Sequence, residues 1–230
     1  TVTGSGSHQT PIAAFFANLG IAVAKFVAFL FTGSASMLAE SVHSLADTGN
    51  QGLLMLGGKK AGRKATSLHQ FGFGRERYFW AFVVSIILFT LGGLFAIYEG
   101  IHKIQTSGDH GIEGPQWAIG VLLVAIGLET YSFRTAIVES NHVRGTATWP
   151  QFIRRAKVPE LPVVLLEDFG ALIGLVLALL GVGLTIYTTN PVWDGIGTLC
   201  IGLLLGAIAI VLSIEMKSLL IGEAADPLEE

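Results

Sequence analysis

Residues 161–185 read LPVVLLEDFGALIGLVLALLGVGLT, an apolar run whose only charges are Glu167 and Asp168. A helix needs about 20 consecutive apolar residues to cross the hydrocarbon core of a bilayer, so this run is long enough to span a membrane. Similar runs recur along the chain, and together they occupy residues 11–32, 34–58, 78–101, 116–138, 161–185 and 192–220. The sequence therefore predicts an all-α integral membrane protein with six transmembrane helices.

The composition agrees with a membrane protein and excludes several other classes. Of the 230 residues, 51% are hydrophobic and only 13% are charged, whereas soluble domains carry about 25% charged residues. A disordered chain, a nucleic-acid-binding protein and an ordinary cytosolic enzyme are excluded on this ground. The formal net charge of −3 indicates no polyanionic partner. The single cysteine, Cys200, excludes a disulfide framework and a cysteine-based zinc site.

Glycines inside the predicted spans indicate closely packed helices. Small residues let helices approach each other where lipid supplies no hydrophobic drive for association. In the fifth and sixth spans these positions are Gly170, Gly174, Gly181, Gly195, Gly197, Gly202 and Gly206. We expect them at helix–helix contacts rather than in loops.

The basic residues predict the orientation of the chain, because cytoplasmic loops of membrane proteins are rich in lysine and arginine. Of the 14 basic residues, ten lie between spans two and three or between spans four and five, and Lys103 alone lies in an opposite connection. The ten are Lys59, Lys60, Arg63, Lys64, Arg75, Arg77, Arg144, Arg154, Arg155 and Lys157. Both termini are therefore expected in the cytoplasm, or on the equivalent side of an organelle membrane.

The connection between spans four and five contains a basic segment with aromatic residues. Residues 148–157 combine Trp149 and Phe152 with Arg154, Arg155 and Lys157. Two interpretations are open, a short basic helix on the membrane surface and a solvated linker with anchoring aromatic residues.

Several ionisable residues fall inside the predicted spans. A charge at the bilayer centre costs roughly 2.5–3.5 kcal/mol on insertion scales, so such residues usually face the interior of the bundle and have a function. In span two, His43 and Asp47 are four residues apart and therefore share one face of the helix. Asp168 lies in span five, and Glu129 and Asn50 are further candidates in spans four and two.

An imidazole with two or more carboxylates and no thiol suits a borderline divalent cation. Zinc takes about four nitrogen or oxygen ligands in a tetrahedron, and imidazole with carboxylate also suits cobalt, iron and manganese. We predict His43, Asp47 and Asp168 as metal ligands, with Glu129 and Asn50 as additional candidates. The alternative is that these groups only hydrogen-bond between helices.

Other ionisable residues in the spans are expected to have different roles. Lys25 is expected to be a counter-ion or a snorkelling side chain. Glu167 is rotated about 100° from Asp168 around the helix axis, so the two are not expected to serve one site. Glu40 is expected towards the far mouth of the bundle, as a residue of an ion pathway.

Two stretches resemble the cation diffusion facilitator family of zinc and related metal transporters. Residues 34–47, SASMLAESVHSLAD, resemble the family's second span, and residues 69–75, HQFGFGR, with Tyr78 are similar to the start of its third. Residues 46–54, ADTGNQGLL, and 165–168, LLED, look closest to the branch that contains the mitochondrial zinc transporter. The resemblance covers residues 10–222, which we expect to form the six-helix domain.

The resemblance implies a homodimeric secondary transporter, not an enzyme. It would export a divalent metal ion, Zn²⁺ in the first instance, in exchange for protons by alternating access. Metal ions and protons would be its substrates in a lipid membrane, with no cofactor and no nucleic-acid partner. The membrane would be the bacterial plasma membrane or, alternatively, that of an organelle. The alternatives in function are export of Mn²⁺, Fe²⁺ or Co²⁺ by the same site, and a membrane subunit that does not transport.

The resemblance also implies a four-residue transport site, with a departure in this chain. The pair on span two is matched by His43 and Asp47, and the pair on span five is matched by Val164 and Asp168. Valine cannot bind metal, so water or a residue of another helix completes the set, or the metal is held more loosely. Glu129 and Asn50 are the candidates from other positions.

The chain departs from the family elsewhere too. Thr66 and Phe73 replace two of the three residues of the family's cytoplasmic-loop metal site, so no metal is expected there and His69 is interpreted as structural. His142 stands alone where the family has a histidine-rich connection. Residues 1–9 are expected to form a tail, and the family's usual cytoplasmic domain is expected to begin at residues 223–230, where the printed sequence stops.

Overall fold

A computed structural model of the chain describes residues 9–67, 70, 72–106, 114–155 and 160–221. Within these ranges the chain is helical apart from short connections, which confirms the predicted all-α class. The helices are α1 Gln9–Thr32, α2 Ala35–Ala61, α3 Glu76–Ile87, α4 Phe95–Thr106, α5 Pro115–Arg144, α6 Trp149–Arg155, α7 Glu160–Thr188 and α8 Val192–Ile221. A π-helical segment, Leu88–Leu94, joins α3 to α4.

Four helical segments are long and apolar enough to cross a membrane. They are Glu76–Thr106, Gln116–Arg144, Leu161–Thr188 and Val192–Lys217, which correspond to the third to sixth predicted spans. The apolar part of α1 is shorter, at Asn18–Thr32, and α2 carries Glu40, His43 and Asp47 within its length. For α1 and α2 the spanning position stays a prediction.

A tight turn joins α1 to α2. Gly33 adopts a left-handed backbone conformation with φ +61°, and its N–H donates to the Phe29 carbonyl at 2.8 Å, which ends α1. Ser34 is the N-cap of α2, and its hydroxyl accepts a hydrogen bond from the Met37 N–H. The two helices therefore pack side by side as a hairpin.

The glycines of α7 and α8 lie at helix contacts, as predicted. A Cβ atom on Gly202 would come within 2.6 Å of the Ile97 amide nitrogen, and one on Gly197 within 3.3 Å of the Gly181 Cα. Similar close approaches occur at Gly170, Gly174 and Gly195, and a Cβ on Gly93 would lie 3.0 Å from the Gly206 Cα. Side chains at these positions would push the helices apart.

Two apolar clusters fill the interior, and the ionisable residues lie between them. One cluster contains Met37 of α2 and Leu175 of α7, and the other contains Leu54 of α2 and Val163 of α7. The intervening segments of α2 and α7 carry the predicted site residues. The interior therefore has a polar layer with apolar packing on either side.

The short helix α6 resolves one of the open alternatives. Residues 149–155 are helical, and Phe152, only 5% exposed, packs in a cluster with Ala136 of α5 and Leu165 of α7. The helical interpretation is confirmed over this range. Its location at the membrane surface stays a prediction, and residues 156–159 lie outside the described ranges.

The π-helical segment was not predicted from the sequence. It interrupts what would otherwise be one continuous α-helix through the third span. Gly92, within this segment, faces His43, because a Cβ on this glycine would lie 3.6 Å from the His43 Nδ1 atom. The irregular turn thus lies directly beside a predicted site residue.

Candidate functional site

A small polar cavity lies inside the bundle between α1, α2, α5 and α7. Its volume is about 10 Å³, close to the minimum space that one buried water needs. It is lined by Asn18, Ile21, Ser44, Asp47, Gln51, Glu129, Val164, Glu167 and Asp168. Four of these nine residues are carboxylates, and they come from three different helices.

On α2, one face of the helix supplies the cavity wall. Ser44, Asp47 and Gln51 follow one another at spacings of three and four residues and all line the cavity. The His43 Nε2 atom lies 3.3 Å from the Asp47 Oδ2 atom, as the spacing predicted. This distance is that of an ion pair, but the geometry is not that of a hydrogen bond, so we describe it as a close contact.

His43 lies behind this wall rather than in it. Its side chain is fully buried, whereas that of Asp47 is 15% exposed. Among the described residues neither ring nitrogen of His43 has a hydrogen-bond partner. Because no hydrogen bond from the described part of the chain engages its ring nitrogens, the buried His43 imidazole is available to bind a ligand that reaches it.

On α7, both Glu167 and Asp168 line the cavity, although they are rotated about 100° apart on the helix; whether they serve one site stays a prediction. The Asn50 amide of α2 donates to Glu167 Oε1 at 2.8 Å, and the Ser132 hydroxyl of α5 donates to Asp168 Oδ2 at 2.8 Å. Because α7 contacts both α2 and α5, Glu167 faces α2 and Asp168 faces α5, while both side chains border the same cavity. Ser132 was missed from the sequence, where nothing distinguishes this serine.

The remaining candidates take distinct positions. Glu129 and Val164 line the cavity, and Val164 is four residues from Asp168 on the same face of α7. Asn50 does not line the cavity but holds Glu167, which does. The valine therefore occupies a wall position where a longer polar side chain would reach the cavity.

Lys25 is a buried counter-ion, which confirms the first of the two roles expected for it. Its ammonium donates to Glu40 Oε2 at 3.0 Å and to the Ser44 hydroxyl at 2.7 Å, and both charged side chains are 0% exposed. Glu40 is buried with Lys25 near the Gly33 end of α2, and its expected role in an ion pathway stays a prediction. The snorkelling alternative is wrong. The reason is that each charge compensates the burial of the other across the α1–α2 contact.

Within the described ranges, no three or more histidine, cysteine, aspartate or glutamate side chains come close enough to hold a metal ion. Neighbouring donors engage the carboxylates instead, at Glu167, Asp168 and Glu40. The structure thus places Asp47 and Asp168 on one cavity with His43 adjacent, and the ligand set itself stays a prediction. His69 lies outside the described residues. His142 is exposed, and its Nδ1 atom lies 2.7 Å from the Val138 carbonyl oxygen.

A second polar contact fixes the beginning of α2, and sequence analysis did not identify it. The buried Asp194 carboxylate of α8 accepts from the Ser34 hydroxyl at 2.8 Å, the Ala35 N–H at 2.7 Å and the Ser36 N–H at 3.3 Å. A negative charge there also meets the positive end of the helix dipole. The available signal was one acidic residue near the start of an apolar span.

Comparison with known proteins gives matches along most of the chain. Residues 12–221 match the family model described as the cation efflux transmembrane domain. The proton-coupled zinc antiporter SLC30A9, mitochondrial, of Mus musculus is 34% identical over 206 residues, covering 88% of this chain and 36% of that protein. Metal tolerance protein C4 of Arabidopsis thaliana is 31% identical over 226 residues, covering 96% of this chain and 48% of that protein.

A bacterial relative is similar over a comparable length. Magnetosome protein MamB of Magnetospira sp. (strain QH-2) is 27% identical over 203 residues, covering 88% of this chain and 63% of that protein. This chain therefore spans between 36% and 63% of the length of these three relatives. The family model covers nearly all of the described helices and confirms the resemblance seen in residues 34–47. This multi-pass membrane protein belongs to the cation diffusion facilitator family, whose membrane part is the cation efflux transmembrane domain.

Proposed function

We propose that this chain is the metal-translocating membrane domain of a transporter that exchanges a divalent metal ion, Zn²⁺ in the first instance, for protons. The observation that carries the proposal is the cavity bordered by carboxylates of α2, α5 and α7 between two apolar clusters. Carboxylates at such depth are costly unless they serve an ion pathway. The names of two relatives, a proton-coupled zinc antiporter and a metal tolerance protein, support the same substrate class.

The proposal includes the arrangement in the membrane. Six helices, α1, α2, α3 continued by α4, α5, α7 and α8, cross the bilayer, and both termini are cytoplasmic. The basic connections between α2 and α3 and between α5 and α7 support this orientation. Two copies of the chain form the transporter, as the family resemblance implies.

In the proposed mechanism, His43, Asp47 and Asp168 bind the ion, and Glu129 completes the set in place of Val164. Asp47 and Asp168 offer oxygen atoms from facing helices, and His43 adds a nitrogen once its ring turns towards the cavity. Metal ligands must be deprotonated, so proton and metal compete for the same groups. Rocking of the helices exposes the site to one side at a time, and protons then displace the metal on the far side.

A harder ion is the second candidate, and the cavity wall itself favours it. Every polar side chain among the lining residues carries an oxygen atom, and His43 is not one of these residues. Manganese prefers oxygen ligands, whereas zinc accepts imidazole readily. If His43→Asn leaves transport of Mn²⁺ and Fe²⁺ unchanged, the substrate is an oxygen-preferring ion; loss of Zn²⁺ transport identifies zinc.

The direct test is Zn²⁺ flux into proteoliposomes across an imposed pH gradient. We expect the wild type to transport in the direction set by the gradient. Asp47→Asn, which keeps the side-chain shape, should reduce flux by more than about tenfold while leaving the purified protein monodisperse. Glu139→Gln is the matched control, since this glutamate is exposed on α5 outside the cavity, and it should transport like the wild type.

Two results would contradict the proposal. Asp47→Asn with wild-type flux would show that the cavity is not the transport site. A wild-type protein that neither binds Zn²⁺, Mn²⁺, Fe²⁺ or Co²⁺ in detergent nor transports it would indicate a membrane subunit whose buried charges only hold helices together.

A further inference from the structure

Lys25, Glu40 and Ser44 form a buried cluster beside the cavity, and the proposed mechanism does not use it. The Lys25 ammonium contacts Glu40 Oε2 at 3.0 Å and the Ser44 hydroxyl at 2.7 Å. Ser44 is itself one of the residues that line the cavity. A single hydroxyl group therefore stands between a fixed positive charge and the space proposed for the metal.

Only one of the two oxygen atoms of the Glu40 carboxylate contacts the Lys25 ammonium. Its Oε2 atom contacts the ammonium, while Oε1 is buried and has no hydrogen-bond partner in the part of the chain that the structure describes. A buried polar atom without a partner is costly, so its retention calls for a partner at another stage of the protein's cycle. The Oε1 atom also has room because residue 174 is glycine: a Cβ there would lie 2.7 Å from it.

Stability does not explain the pair. Replacing a buried ion pair by uncharged groups of similar size is often neutral or stabilising, so such a pair is weak evidence for a stabilising role. A carboxylate and a hydroxyl facing the same cation are, in contrast, the oxygen ligands that divalent ions take. The ammonium occupies the place where such an ion would bind.

We propose that Glu40 and Ser44 form a second position for the transported divalent cation, next to the cavity, and that the Lys25 ammonium occupies it in this structure. The inference rests on the proposed transport function and adds a step to it. Glu40 precedes Asp47 by about two turns of α2, so the second position lies towards the Gly33 end of the helix. An ion leaving the cavity towards that end exchanges with the ammonium.

Because the metal ion and the Lys25 ammonium replace each other, the negative charge of the buried Glu40 carboxylate is neutralised at every stage. When the metal enters, the ammonium withdraws with α1; when the metal leaves, the ammonium returns. Lys25 thereby closes the route towards the Gly33 end whenever that position holds no metal. The side chain acts as a tethered competitor of the transported ion.

The decisive variant is the double substitution Lys25→Met with Glu40→Gln, which replaces both charges by neutral side chains of similar size. We expect this protein to fold and to bind one Zn²⁺ per chain in detergent with wild-type affinity, but to transport Zn²⁺ more than about tenfold more slowly. A pair with a purely structural role would instead be rescued by the double substitution. Wild-type flux in the double variant would therefore overturn the inference.

Binding stoichiometry provides the second measurement. Lys25→Met alone removes the competitor and keeps the carboxylate, so we expect it to bind two Zn²⁺ per chain where the wild type binds one. One Zn²⁺ per chain in this folded variant would overturn the inference. If Lys25→Met does not fold, the double variant decides alone.

The two proposals fail in different ways. A wild type that neither binds nor transports metal would overturn the proposed function and this inference with it. A wild type that transports, beside a double variant that has lost its one bound Zn²⁺, would overturn only the inference, because Glu40 would then belong to the first site.

Discussion

Replacing Asp194 should loosen the start of α2, the helix that carries the predicted metal ligands. Its buried carboxylate accepts hydrogen bonds from three consecutive residues, Ser34, Ala35 and Ser36, at 2.8, 2.7 and 3.3 Å. Asp194→Ala leaves two backbone N–H groups and one hydroxyl without this acceptor. They lie in the first turn of α2, where the helix itself provides no acceptor for them.

The size of the effect follows from these contacts. A hydrogen bond to a charged group contributes about 1.5–3 kcal/mol, so the two short bonds contribute about 3–6 kcal/mol together. The 3.3 Å bond and the helix dipole add about 1 kcal/mol, while contacts in one network are not additive and relaxation lets the helix end fray. We therefore expect Asp194→Ala to lower the free energy of unfolding by about 3–5 kcal/mol.

Asp194→Asn should have an intermediate effect. The amide keeps one oxygen, which can still accept from Ser34 and Ser36, but it directs an NH₂ group at the Ala35 N–H and removes the negative charge. Losing one short charged bond lowers the stability by about 2–3 kcal/mol. If Asp194 stabilises α2 through this contact, stability should therefore decrease in the order wild type, Asp194→Asn, Asp194→Ala.

Thermal unfolding in detergent, followed by circular dichroism, measures the effect. At about 2–4 °C per kcal/mol for a chain of this size, Asp194→Ala should lower the midpoint by about 10 °C. Glu139→Gln again serves as the control and should not shift it. A midpoint for Asp194→Ala within about 2 °C of the wild type, or a larger loss for Asn than for Ala, would refute the reasoning.

Further outcomes follow from the packing and the cavity. Gly202→Ala places a Cβ within 2.6 Å of a backbone nitrogen of α4 and should destabilise the protein by about 1–3 kcal/mol in the same assay. Gly206→Ala places its Cβ in open space and should not destabilise the protein. Equal unfolding midpoints for the two variants would contradict the packing argument. Ser132→Ala removes the hydrogen bond to Asp168 and should weaken Zn²⁺ binding by about tenfold in calorimetry, and an unchanged affinity would separate this serine from the site. Val164→His adds a nitrogen ligand to the cavity wall and should tighten Zn²⁺ binding; unchanged or weaker binding would mean that another group already fills the position. Zn²⁺ affinity of the wild type should fall as the pH drops, since protons then compete for histidine and carboxylate ligands, and a pH-independent affinity would argue against shared ligands.

Local sequence properties predicted most of the helices. The predicted span 192–220 differs from the observed α8, Val192–Ile221, by one residue, and the second begins at Ser34, the observed N-cap. These boundaries could be predicted because a membrane span is recognised from the apolar character of its own residues. The same local information gave the contact between His43 and Asp47, which depends only on the helical repeat.

Which helices pack against each other could not be predicted from these local properties. The sequence does not reveal that α7 contacts both α2 and α5, so the helical rotation alone separated Glu167 from Asp168 although both border the cavity. The roles of Ser132 and Asp194 depend on helices distant in sequence. The π-helical turn at Leu88–Leu94 lies where Gly92 and Gly93 of the third span approach α8 and His43, and these contacts too join parts of the chain that are distant in sequence.

The polar character of α2 has a consequence for how the protein is made. Each charged residue at a helix centre opposes insertion into lipid by roughly 2.5–3.5 kcal/mol, and α2 carries Asp47 near its centre and Glu40 nearer its start. The charge of Glu40 is compensated by Lys25, which is synthesised before α2. The first turn of α2 is capped by Asp194, which follows Ser34 by 160 residues. In the proposed arrangement of six spanning helices, α2 should therefore leave the translocon together with α1 as a hairpin. Its first turn stays without the Asp194 acceptor until α8 emerges from the ribosome, so the final assembly of this domain is post-insertional and depends on its eighth helix.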